Sequence, residues 1–182
     1  MKKYNPDIHH RRSVRLRGYD YSQAGAYFIT KCAHNRRCIF GEIRNKEMYL
    51  NPFGEIAYRE WEELPKRWQH LELGAFQIMP NHIHGVLVIN DPQISQADDL
   101  SNPKIQWAKK PTVGQVVGAY DSITVTQSVK YIEGNSPDMV LGKLWQRGFH
   151  EHIIRTLESF DRISHYIINN PADWENDKFF NP

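Results

Sequence analysis

Between residues 25 and 90 the hydrophobic rhythm of the chain changes from period two to helical spacing and back again. The segment 25-GAYFITKCAH-34 alternates, with Tyr27 and Ile29 on one side and Phe28 on the other, and predicts a strand. The stretch 38-CIFGEIRNKEMYLN-51 alternates around the polar turn 44-RNKE-47 and predicts a short hairpin. Asn51-Pro52 then reads as a helix start, an Asn cap with Pro at the first helical position. In 53-FGEIAYREWEELPKRW-68, Ile56, Ala57, Glu60, Trp61 and Leu64 recur at helical spacing with acids on the opposite face, the pattern of a core-facing stripe.

Period two returns in 71-LELGAFQIMP-80 and 82-HIHGVLVIN-90, two predicted strands joined tightly at Pro80-Asn81. The polar, proline-containing stretch 91–111 predicts a flexible insertion. A second helix opens at Thr112 and runs to Ile132, with Val113, Val116, Val117, Tyr120, Ile123 and Val129 as its apolar stripe. After the loop 133-EGNSPD-138, 147-RGFHEHIIR-155 predicts a last strand. The segment 156-TLESFDRISHYIINN-170 predicts a last helix, opened by Thr156 and stopped by Pro171.

The order is β, hairpin, α, β, β, α, β, α, with no internal repeat. Without the hairpin and the last helix this is a βαββαβ plan: an α+β, ferredoxin-like antiparallel sheet with helices packed on one face. The other face is expected to be open, with the C-terminal helix free to lie over it.

Composition narrows the class. The 182 residues, 40% hydrophobic and 12% aromatic, suit a single folded domain spanning 1–182. No apolar run approaches the ~18–20 residues of a membrane span, and the start MKKYNPDIHHRRS lacks an apolar signal core, so a cytoplasmic location without membrane attachment is expected. Cys32 and Cys38 form no CxxC pair, which argues against a disulfide framework or a cysteine zinc site. The net charge is only +2, but it is uneven. Arg11, Arg12, Arg15 and Arg17 crowd the N-terminal arm 1–17, and 34-HNRR-37 and 108-AKK-110 add further clusters. Such an arm either lies along phosphates or is a solvated terminus, and charge alone does not choose between them.

Two motifs carry candidate chemistry. In 79-MPNHIHGVLVI-89, His82 and His84 fall on the same face of a strand. They read either as a metal-binding pair or as two polar residues on a wet sheet face. In 165-HYIINNP-171, Tyr166 and Asn170 lie one helical turn apart and face the same way. An amide oxygen can complete a metal site begun by two imidazoles, with the tyrosine hydroxyl close by. Equally, Tyr166 is a half-buried core residue and Asn170 a helix cap beside Pro171.

Taken together, 79-MPNHIH-84, 145-WQRGFHEHIIR-155 and 166-YIINNP-171, with 18-GYDYSQAGAYFIT-30 and 40-FGEI-43, resemble the REP-associated tyrosine transposases. These are one-tyrosine HUH transposases, relatives of insertion-sequence enzymes that move single-stranded DNA. The resemblance spans roughly residues 11–176, interrupted by the 91–111 insertion. It implies a transposase or nuclease that cleaves and rejoins single-stranded or hairpin DNA through a 5′-phosphotyrosine. Tyr166 would be the nucleophile, and His82, His84 and Asn170 would be ligands of a divalent metal. Two imidazoles alone would favour zinc, cobalt or nickel; the family's usage and the amide oxygen favour Mg²⁺ or Mn²⁺. Arg147 and the arm arginines become DNA contacts, and the protein is expected in the nucleoid as a monomer or homodimer.

Tyr120 and Tyr131 are rival nucleophiles, but position 124 is Thr, and Asn135 lies past Gly134. Tyr120-Asp121 departs from the family, in which a lysine is expected after the aromatic; an acid there would weaken phosphate contact. The alternatives are a catalytically decayed nucleic-acid-binding module on the same fold and a zinc hydrolase using HxH with another histidine. No acid paired with HxH is visible in the sequence, which argues against the hydrolase. His150, His152 and His165 are not placed in the site; His165 points ~100° away from Tyr166 around the helix.

Overall fold

The computed structural model describes residues 19–68, 70–91 and 111–180. The basic arm with Arg11, Arg12, Arg15 and Arg17, and nearly all of the 91–111 insertion, lie outside the described residues. The elements are β1 (Gly25–Cys32), β2 (Gly41–Arg44), β3 (Glu47–Leu50), α1 (Pro52–Glu62), α2 (Leu64–Arg67), β4 (Leu71–Met79), β5 (His82–Ile89), α3 (Val113–Asn135), β6 (His150–Ile154) and α4 (Leu157–Asn169). A 3-10 segment, Asn170–Asn176, continues from α4. Strands β4-β5-β1-β6 form one sheet in which every pairing is antiparallel, and β2-β3 form the hairpin. This is the strand order of the ferredoxin-like plan read from the sequence.

The helix starts follow their caps. Asn51 Oδ1 accepts from the amides of Phe53 and Gly54, and Thr112 and Gln115 form a reciprocal capping box for α3. Thr156 Oγ1 accepts from Ser159 N to open α4. No helix among the described residues is long and apolar enough to cross a membrane.

On one face of the sheet, Tyr27, Ile29, Ile83, Leu87 and Ile89 pack against Trp61 of α1 and Val113, Val116 and Tyr120 of α3. Trp61 lies flat on Phe76 at 4.5 Å between ring centroids, and it reaches over Gly85. A Cβ at Gly85 would sit 2.3 Å from the indole, so this position accepts no side chain. Removing Trp61 would cost ~3–5 kcal/mol.

The α3 stripe differs from the periodic expectation beyond Tyr120. The buried positions are Thr124, Ser128 and Ile132, whereas Val129 is exposed and Ile123 half-buried. Burial of Thr124 is made possible by Trp145, whose indole N–H donates to Thr124 Oγ1 at 2.7 Å, while that hydroxyl donates to Tyr120 O. The last strand is shorter than the predicted 147–155. Trp145 pairs with Ala33 as an isolated bridge, and Gly148 (φ 79°) turns the chain before β6.

The second face is not open. Phe160, Ile163 and Ile167 of α4 pack on Val86, Ile154 and Phe28, closing a second small core. The alternation of β5 thus serves two layers, and its first two residues on this side are His82 and His84.

Candidate metal and nucleophile site

His82 opens β5 directly after the Pro80-Asn81 turn, and that turn is fixed from both sides. Ala33 N donates to Asn81 O at 2.8 Å, and Phe40 N to Pro80 O at 3.1 Å. Period two then carries His84 to the same face. Both imidazoles are fully buried, which corrects their expected place on an open sheet face. Phe179 and Trp174 of the C-terminal segment cover His82 at ring distances of 4.6 and 6.0 Å, and Phe28 and Tyr166 flank His84 at 5.2 and 5.3 Å.

The outward nitrogens of the two rings are each held by a neighbour. Asn81 Nδ2 donates to Phe179 O, so Asn81 Oδ1 is the acceptor for His82 Nδ1–H at 2.8 Å. That bond fixes the His82 tautomer and leaves Nε2 a lone pair. His84 Nδ1 lies 2.9 Å from Thr30 Oγ1, a hydroxyl able to donate or accept. The two Nε2 atoms face each other at 3.1 Å. Without a cation this contact requires one proton, supplied by His84 Nε2–H, with Thr30 donating to His84 Nδ1. Rotation of the Thr30 hydroxyl permits the other tautomer, in which both Nε2 lone pairs converge.

That geometry fits a metal. Two nitrogens each ~2.0–2.1 Å from one ion stand ~3 Å apart when they occupy adjacent coordination positions. Oxygen donors are close. His82, His84 and Asp177 each offer an atom within 4.8 Å of the others. Asn170 is buried, and its Oδ1 has no hydrogen-bond partner, an orphaned acceptor that a cation would satisfy.

Burial also sets the protonation. The His82 imidazole is pushed down to about 3 by desolvation, helped by the charges of Lys178 and Arg36. His84 is pushed well below the usual histidine value by burial and then by its neighbour His82. Both rings are therefore neutral at physiological pH, the form that binds metal.

The amphipathic face of α4 turns Tyr166 towards His84, and Asn170, the C-cap of the helix, reaches Asp177. The Tyr166 hydroxyl lies 3.2 Å from His84 Nε2 and donates to Asp177 Oδ2 at 3.3 Å. Asn170 Nδ2 donates to the same carboxylate oxygen at 3.0 Å, and Asp177 Oδ1 accepts from Phe179 N. Burial and the Asp177 carboxylate push the phenol up to about 12. Tyr166 is nonetheless 42% exposed, so a substrate can reach it.

Tyr120, by contrast, is buried in the main core, with its hydroxyl donated to Ala57 O at 2.9 Å. Tyr131 packs edge-on against Phe53. Asp121 is not a loose acid: it pairs at 2.6 Å with Lys31, which is 2% exposed, and Lys31 also donates to the carbonyls of Gln146 and Gly148. Burial pushes the Asp121 carboxyl up to about 6, against the pull of Lys31. Arg147 is exposed on the loop that Lys31 holds; His150, His152 and His165 are exposed as well.

Three participants are missing from the sequence reading: Thr30, Asn81 and Asp177. Thr30 stands opposite His84 in the β1–β5 register, a relation set by strand pairing. Asp177 reaches the site because the 3-10 segment folds the chain back over β5. The sequence therefore lacks a visible acid beside HxH, whereas the fold supplies one.

No family model matches the chain. A Haemophilus influenzae protein described only as uncharacterized is 37% identical over 186 aligned positions, covering 98% of this chain and 97% of that protein. The solved structure of a REP-associated tyrosine transposase bound to a REP hairpin superposes with a TM-score of 0.52 at 18% identity, covering 98% of this chain and 77% of the other. The chain thus belongs to one family with the Haemophilus influenzae protein, and its fold is that of a REP-associated tyrosine transposase.

Proposed function

We propose that this protein is a REP-associated tyrosine transposase that cleaves and rejoins single-stranded DNA through a covalent bond to Tyr166. The observation that carries this reading is the Tyr166 hydroxyl, 3.2 Å from the Nε2 of one of two buried, neutral, facing histidines. A packing tyrosine has no need of that neighbour. A zinc hydrolase would use a bound water as its nucleophile, leaving Tyr166 without a role.

His82, His84 and Asn170 would hold a divalent ion, Mg²⁺ or Mn²⁺, the two neutral imidazoles and the unpartnered amide oxygen being its donors. Thr30 and Asn81 orient the rings. Such an ion, when bound, neutralises charge on the non-bridging oxygens of the scissile phosphate and lowers the cost of forming tyrosinate.

Tyr166 Oη attacks phosphorus in line, forming the O–P bond as the P–O3′ bond breaks. Its proton passes to Asp177 Oδ2, which already accepts the hydroxyl's hydrogen bond. The leaving O3′ takes a proton from water and becomes a free 3′-OH, while the 5′ side stays on the enzyme as a phosphotyrosine. Attack by a 3′-OH on that phosphotyrosine restores a phosphodiester and returns the proton to Tyr166. The number of phosphoester bonds is conserved, so strands exchange without an external energy source.

The transposase with this fold was solved on a REP hairpin, and we assign the same class of substrate here, a hairpin with a single-stranded flank. The test is a denaturing gel of the protein incubated with such an oligonucleotide and Mn²⁺. A covalent adduct lost in Tyr166→Phe supports the reading. An adduct that survives Tyr166→Phe, or no adduct from the wild type, rejects it.

A further inference from the structure

The edge of the site carries two cations that the chemistry above does not use. Arg36 lies over the Phe179 ring at 5.2 Å and Lys178 over the same ring at 4.8 Å. Phe179 in turn sits 4.6 Å from the His82 ring. Both cations are exposed, and neither forms an ion pair with another described residue. The nearby carboxylate, Asp177, is committed to Tyr166, Asn170 and the Phe179 amide.

The backbone is set to keep Arg36 there. Asn35 and Arg36 are consecutive non-glycine residues in the left-handed region, at φ 56° and 52°. The turn is anchored by His34 N to Leu144 O and by Arg36 N to Ala33 O. Left-handed backbone is unfavourable for ordinary side chains, somewhat less so for Asn. The fold bears that cost to bring a second positive charge onto the Phe179 ring that Lys178 also covers. An anion at this place would use both charges.

We infer that Arg36 and Lys178 form a seat for a backbone phosphate of the single strand, next to the scissile one, with Phe179 as its floor. This rests on the proposed function. The guanidinium and ammonium would fix the strand's path across Phe179 so that the neighbouring phosphate meets Tyr166 Oη in line.

The test uses a fluorescein-labelled hairpin oligonucleotide with a single-stranded flank, bound with Mn²⁺ to Tyr166→Phe protein so that it stays uncleaved. Each lost phosphate contact on a single strand lowers the slope of log affinity against log salt by ~0.7. The double variant Arg36→Gln, Lys178→Gln removes this one phosphate contact and should flatten the slope by about 0.7, at an unchanged melting temperature. Neutral methylphosphonate linkages walked through the flank should weaken binding to the parent at one or two positions and have no effect there in the double variant. Arg36→Lys should retain the sensitivity. An unchanged slope, or the same methylphosphonate profile in parent and double variant, overturns the seat.

The wild-type adduct gel reports separately. An adduct with no seat leaves the proposed function standing, and a seat without an adduct makes this a phosphate-binding site with no strand cleavage.

Discussion

The Tyr166 hydroxyl donates a hydrogen bond to Asp177 Oδ2 at 3.3 Å, although the two residues sit on different segments. The pairing gives the phenol a proton acceptor at the place where its oxygen must attack. Asp177→Asn keeps the shape and removes the basicity. Adduct formation should slow by ~10²–10⁴-fold, the usual worth of a positioned base, with DNA affinity nearly unchanged. Single-turnover kinetics would measure it, and a wild-type rate would remove Asp177 from the proton path.

Asn170 and Asp177 divide two roles that a metal titration separates. If Asn170 Oδ1 is a ligand and Asp177 the base, Asn170→Ala should weaken Mn²⁺ binding, and Asp177→Asn should leave it largely intact. Titration calorimetry or Mn²⁺ electron paramagnetic resonance reads both. The reverse pattern would transfer the ligand role to Asp177. Chelation of the wild type should abolish the adduct and spare DNA binding.

His82→Ala should stop cleavage, but it will also cost stability, because the ring is buried. The substitution opens a cavity under Phe179 and leaves Asn81 Oδ1 and His84 Nε2 without their partner. A loss of about 2–4 kcal/mol, several degrees in melting temperature, is expected. DNA binding below that temperature should persist. A variant that cleaves at the wild-type rate with Mn²⁺ would remove His82 from the metal site.

Acid should destabilise the metal-free protein. His82 is held near 3 in the folded state, while a histidine in the unfolded chain titrates near ~6.5, so the unfolded state binds more protons between these values. The stabilising contribution is fully present above ~6.5 and is lost as pH falls towards 3. One such histidine removes about 2 kcal/mol by pH ~5, and His84 acts in the same direction. Urea denaturation in chelator at several pH values between 7.5 and 5 would show the slope. A flat profile would mean that the rings are not held neutral.

Asp121→Ala should destabilise the fold by roughly 3–5 kcal/mol, since it strips the buried Lys31 ammonium of its counter-charge. The carbonyls of Gln146 and Gly148 soften that loss. A melting temperature unchanged from the wild type would contradict the pairing.

What the sequence determined by itself is local and periodic. The 3.6 and 2.0 rhythms, the Asn51 and Thr156 caps and the Pro80-Asn81 turn were enough for the element order and, with it, the ferredoxin-like plan. Period two alone put His82 and His84 on one face, and one helical turn put Tyr166 beside Asn170. These relations are covalent neighbours seen through a known geometry, so they survive without knowledge of packing. The tertiary structure decided which face is covered. The apolar side of α4 had to be buried, and Val86, Ile154 and Phe28 were the surface available, so the expected open face became a closed one and the histidines became buried and neutral. It also decided Thr124 over Ile123 on α3, because the Trp145 indole satisfies the hydroxyl. Register brought Thr30 to His84, and chain reversal after Pro171 brought Asp177 to Tyr166. Such contacts join residues far apart in the chain, and no period or spacing encodes them.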